Sequence, residues 1–138
     1  MSEEHKETSC AARVEGALAG RVADLQRLLD SYRAGRTDDE LGLLPDYALC
    51  LDYVAAGTFT GQREGYFRYQ LSWGGPSDEF RFYVNPDFSC HRIEYWFLDW
   101  FDGAHRILSD GSMQLLLDVW SWLSDTGLAS EAYEESEL

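Results

Sequence analysis

The chain has 138 residues and a formal net charge of −14, with 25 Asp and Glu against 11 Lys and Arg. A field of that sign repels nucleic acid and anionic membrane and attracts basic surfaces, so direct nucleic-acid or membrane binding is not expected. Hydrophobic residues at 45% and aromatics at 14% suffice for a core, which sets the chain apart from acidic disordered proteins.

Residues 1–9 read as a flexible polar N-terminus without the apolar stretch of a secretory signal. From Ser9 onward Val14, Leu18, Val22, Leu25, Leu29 and Tyr32 recur at three- and four-residue steps. That spacing predicts an amphipathic helix of about 24 residues ending near Gly35. RTDDELGLLPD follows as a connector. YALCLDYVAAG alternates Tyr47, Leu49, Leu51 and Tyr53 with Ala48, Cys50, Asp52 and Val54; a strand is preferred, with a short helix as the competing state.

GYFRYQLSW (65–73) places Phe67, Tyr69, Leu71 and Trp73 on one face and Tyr66, Arg68, Gln70 and Ser72 on the other. GGPSD is a tight turn. EFRFYVN (79–85) alternates Phe80, Phe82 and Val84 against Arg81 and Tyr83. HRIEYWFLDWF (91–101) is a long aromatic strand, and Asp102-Gly103 is expected either to close a hairpin, with AHRILS extending the sheet, or to mark a bulge. Asp110 or Ser112 is expected to cap a last helix carrying Met113, Leu116, Leu117, Trp120 and Leu123, with Gly127 as its stop. Residues 129–138 read as an acidic C-terminal tail. The fold class is α+β, with an antiparallel four- to five-stranded sheet and an N-terminal and a C-terminal helix packed on one face. Residues 10–128 form a single domain in this reading.

Motifs for chemistry are sparse. WGGPSDEF holds neither GxxxxGK[ST] nor GxGxxG. His5, His91 and His105 lack metal-ligand spacing, and adjacent Cys90 and His91 point to opposite faces of a strand. No metal site and no cofactor are expected. Cys10, Cys50 and Cys90 are an odd, scattered set, which indicates reduced thiols and a cytoplasmic location. Cys50 or Cys90 with His105 and Asp102 would need to converge in space to act as a catalytic group. Without a catalytic signature the expectation is a protein that binds, not an enzyme.

Two surfaces are candidates for binding. The negative charge is concentrated in residues 37–60, with five acids and no base, and residues 94–138, with ten acids and only Arg106. Asp99, Asp102, Asp110, Asp118, Asp125, Glu131, Glu134 and Glu135 are the acidic candidates from the second block. Asp118 and Asp125 lie two helical turns apart, about 10.5 Å. Carboxylates so spaced on a rigid scaffold can imitate a phosphate track, whose charges recur every ~3.4 Å along a strand. The alternative is plain solubility. The second surface is the sheet face away from the helices. Tyr66, Arg68, Tyr83, Trp96 and Trp100 are its candidates, and an apolar patch there would favour a homodimer or an adaptor role.

RYQLSWGGPSDEFRF and YWFLDWFDGA carry a resemblance, over roughly residues 45–125 and so about one domain, to a family of small uncharacterised proteins of bacterial plasmids, integrative elements and prophages. The resemblance implies no catalytic residues. It implies a setting in which small acidic proteins counter host defence as anti-restriction or anti-CRISPR proteins, several of them as DNA mimics. The expected function is therefore a non-enzymatic inhibitor whose acids occupy the basic, DNA-binding surface of a nuclease or CRISPR effector.

Overall fold

The computed structural model describes residues 9–138; the polar stretch 1–8 lies outside the described residues. Ser9 caps the first helix, α1 (Cys10–Arg33), by accepting the Ala12 N–H at 3.2 Å. The helix buries Val14, Leu25, Leu28 and Leu29. Ala34 closes it, and Gly35 takes φ +69, as expected for the stop there.

The ambiguous stretch after the connector splits between its two readings. Leu44–Tyr47 is a single helical turn, α2, with Pro45 at its start. The strand begins later than the alternation suggests, as β1 (Cys50–Val54). Four more strands follow: β2 (Tyr66–Ser72), β3 (Ser77–Val84), β4 (Cys90–Asp99) and β5 (Asp102–Ile107). They form one antiparallel sheet in the order β1-β2-β3-β4-β5, so each strand pairs with its neighbour in sequence.

Alternation sorts the side chains of this meander. Phe67, Tyr69, Leu71, Phe80, Phe82, Ile93, Tyr95 and Phe97 share the face that packs on the helices. Helix α3 (Asp110–Asp125) sets Leu115, Leu116, Val119, Trp120 and Leu123 into them. The Trp120 ring lies 5.1 Å from both Phe67 and Phe82, and its N–H bonds the Phe88 carbonyl at 2.8 Å. Each such large side chain, taken fully out of water, stabilises the fold by about 1.5–3 kcal/mol. Ser109 occupies the N-cap position of α3, one residue before Asp110, and its carbonyl accepts the Met113 N–H. Neither Asp110 nor Ser112 stands at the cap.

The stretch expected to trail off as an acidic tail is instead a helix, α4 (Leu128–Ser136), which starts after Gly127 at φ +84. Ala129 and Ala132 are buried, and the Tyr133 ring meets Tyr53 edge-on at 4.9 Å. Helix α4 thereby covers β1, the strand that α1 and α3 leave uncovered.

Candidate functional site

Among the described residues no helix covers the outer face of the sheet. It collects Arg68, Arg81, Tyr83, Arg92, Glu94, Trp96 and His105, residues whose neighbours along each strand point into the core. Arg68 and Arg81 stand directly opposite one another, a like-charge pair that would be destabilising alone. Each has its own acid. Arg68 grips Asp52 through two hydrogen bonds of 3.0 and 2.7 Å, and Arg81 donates to Glu79 at 2.7 Å. Glu94 is the hub of the other half. Its Oε1 accepts from the Tyr83 hydroxyl at 3.0 Å and Trp96 Nε1 at 2.9 Å, and its Oε2 accepts from Arg92 at 3.2 Å.

Rings and guanidinium groups are interleaved across the strands. Arg81 lies 4.6 Å from the centre of the Tyr66 ring and 4.0 Å from that of Trp96. His105 stacks on Trp96 at 4.2 Å with 9° between planes, so the indole is sandwiched. Arg92 sits 3.9 Å over Tyr83. A planar cation desolvated on an aromatic face gains about 2 kcal/mol. Beside this lattice the loop 55–65 forms one wall of a cavity of about 460 Å³, whose floor includes Tyr66, Arg81, Tyr83, Arg92 and Trp96.

The sequence candidates Tyr66, Arg68, Tyr83 and Trp96 therefore share one face. Trp100 does not extend it: β4 ends at Asp99, and Trp100 lies in the β4–β5 turn at φ +54, 88% exposed. The face itself is charge-paired, not an apolar patch. The most exposed rings cluster at one end of the sheet, where the turns carry Trp73, Trp100 and Phe101. Arg81, Arg92, Glu94 and His105 are not among the residues that the sequence reading assigns to this face. Their strand alternation was visible, but their partners depend on cross-strand register.

The acidic candidates fall into two groups. Asp99 receives a hydrogen bond from Arg13 at 3.0 Å. Asp102 accepts the Cys10 N–H at 2.8 Å and the Gly103 N–H at 2.9 Å, and these backbone donors, Cys10 foremost, hold its carboxyl below the usual range. Both tie the β4–β5 turn to α1. Asp118 lies 3.6 Å from Arg33 and accepts from Gln114. By contrast Asp110, Asp125, Glu131, Glu134 and Glu135 are exposed and have no ion pair among the described residues.

Cys90 and His105 do not converge. Cys90 begins β4 and packs toward the core, and burial pushes its thiol up to about 11. His105 pairs with Trp96, six residues further along and about 20 Å away at ~3.3 Å per residue. Among the described residues no group of three His, Cys, Asp or Glu is placed to hold a metal ion, and no helix is long and apolar enough to cross a membrane. Comparison with known proteins finds no matching family model, no matching curated protein and no matching solved structure.

Proposed function

We propose that the protein acts by binding a basic protein surface through the acids of α3 and α4, as a non-enzymatic inhibitor that competes with DNA for that surface. In the setting implied by the resemblance of the sheet sequence, the partner is a nuclease or CRISPR effector. The observation that supports this reading is where the arginines are used. Arg13, Arg21, Arg27, Arg33, Arg68, Arg81, Arg92 and Arg106 each reach a carboxylate, and only Asp118 of those carboxylates lies beyond residue 109. Beyond residue 109, Asp110, Asp125, Glu131, Glu134, Glu135 and Glu137 therefore carry charge that no arginine among the described residues offsets.

Those side chains stand on two consecutive helices packed into the core, so their spacing is held by the fold. Exposed carboxylates keep their hydration until a partner arrives, then form charge-assisted bonds with Arg and Lys. Such contacts weaken as salt shortens the Debye length from about 10 Å at 0.1 M toward about 3 Å at 1 M. Converting Asp110, Asp125, Glu131, Glu134 and Glu135 together to Asn and Gln is expected to abolish binding and inhibition with the far-UV circular dichroism unchanged. Asp99→Asn and Asp102→Asn are expected to lower Tm and leave binding intact. Full inhibition by the neutralised variant would reject the proposal.

A further inference from the structure

We propose that the cavity on the uncovered sheet face is a binding site for a small-molecule oxyanion, either a phosphate ester or a carboxylate. Its lining runs against the charge of the chain. Arg63, Arg81 and Arg92 face Glu64 as the one acid of the lining, in a protein of net charge −14. Two of these cations have donors to spare. Arg63 is exposed and has no ion pair among the described residues. Arg81 donates through Nε to Glu79, and its two Nη groups have no acceptor among the described residues.

Tyr66 supplies the independent observation. The residue is 2% exposed, lines the cavity, and carries a buried hydroxyl without a hydrogen-bond partner. Buried hydroxyls are ordinarily paired, so an orphan beside a cavity points to a missing acceptor. Burial, the foremost influence, pushes this phenol up from its ordinary pKa, so it keeps its proton and remains a donor. A fork of guanidinium donors and a phenol donor match the oxygens of a phosphate or carboxylate.

The aromatic rings serve as supports for the cations. Trp96 is occupied on both faces, by Arg81 and His105, and so has no free face for a ligand ring. Its role is to hold the Arg81 guanidinium in one orientation, which lowers the entropy lost on binding. Phe59, 52% exposed in the loop wall, remains open to an apolar portion of the ligand. The volume of about 460 Å³ lies within the range of small-molecule sites. The Tyr66 hydroxyl is closed off from solvent, so the proposal requires the exposed loop from Ala55 to Glu64 to shift before a ligand oxygen reaches it.

Calorimetric titration of the full chain with inorganic phosphate, adenosine 5′-monophosphate and succinate tests the site and separates the phosphate source from the carboxylate source. The expected result is one-to-one binding of at least one probe. Tyr66→Phe, which removes only the orphan hydroxyl, should weaken it about tenfold, the usual loss for a hydrogen bond to a charged group. Arg63→Gln, at an exposed position, should weaken it as well. Arg81 is left intact because its removal would strand buried Glu79. Absence of heat with all three probes at millimolar concentration would overturn the proposal. Binding that ignores both substitutions would also overturn it, as the mark of an adventitious ion only. So would a dimer by light scattering that Trp96→Ala dissolves and that keeps the probes out, which would assign the face to a second copy of the chain.

Discussion

Asp78 is the buried carboxylate on which the residue-scale chemistry converges. Arg21 of α1 donates to it twice, at 2.7 and 2.9 Å; the Tyr95 hydroxyl donates at 2.6 Å; and Ser72 adds a further hydroxyl bond. Burial alone would push its carboxyl up, but these donors outweigh burial and hold it below the ordinary value of 3.8. A carboxyl whose pKa is depressed by folding gives its full stabilisation above the unfolded value. That stabilisation is lost as pH falls through the folded value. Acid is therefore expected to unlock α1 from β3 below about pH 4. Asp78→Asn leaves Arg21 without its counter-charge and should cost about 3 kcal/mol, the lower end of the range for a broken buried pair because Arg21 keeps some contact with water. Urea denaturation at pH 7 measures the cost, and a variant that stays within about 0.5 kcal/mol of the parent would remove Asp78 from this role.

At the scale of elements, α4 is the piece whose contribution is easiest to isolate. Ala129 and Ala132 let it approach β1 closely, and Tyr133 joins the rings of Tyr53, Phe67 and Phe88. Ala132→Glu would bury an unpaired charge against β1. The expected loss is about 2 kcal/mol or more, with reduced helical circular dichroism as α4 undocks. An unchanged denaturation midpoint would mean that α4 does not contribute to the fold. This helix also marks a limit of reading the sequence. Helix α1 and strands β2 to β4 were legible because long runs of apolar residues follow one period. Helix α4 buries only two alanines, with Tyr133 laid at the edge of the core, so its place is decided by packing on β1. The same holds for the candidate surfaces. Alternation alone put Tyr66, Arg68, Tyr83 and Trp96 on one face. That Asp99 and Asp102 are held by Arg13 and the Cys10 N–H depends on contacts across 86 and 92 residues, which no local pattern carries.

At the scale of the molecule, charge is sorted by the fold. Eight of the ten arginines reach a carboxylate, most of them on α1 and the outer sheet face, while the unpaired acids of α3 and α4 face water. The central claim is that this acidic side occupies a surface on which DNA otherwise sits. Capture of partners from host lysate on the immobilised protein, at low and at high salt and with duplex DNA as competitor, tests it most directly. The account predicts retention of a nuclease or CRISPR complex at low salt and its release by either high salt or DNA. Retention that neither salt nor DNA disturbs would contradict it.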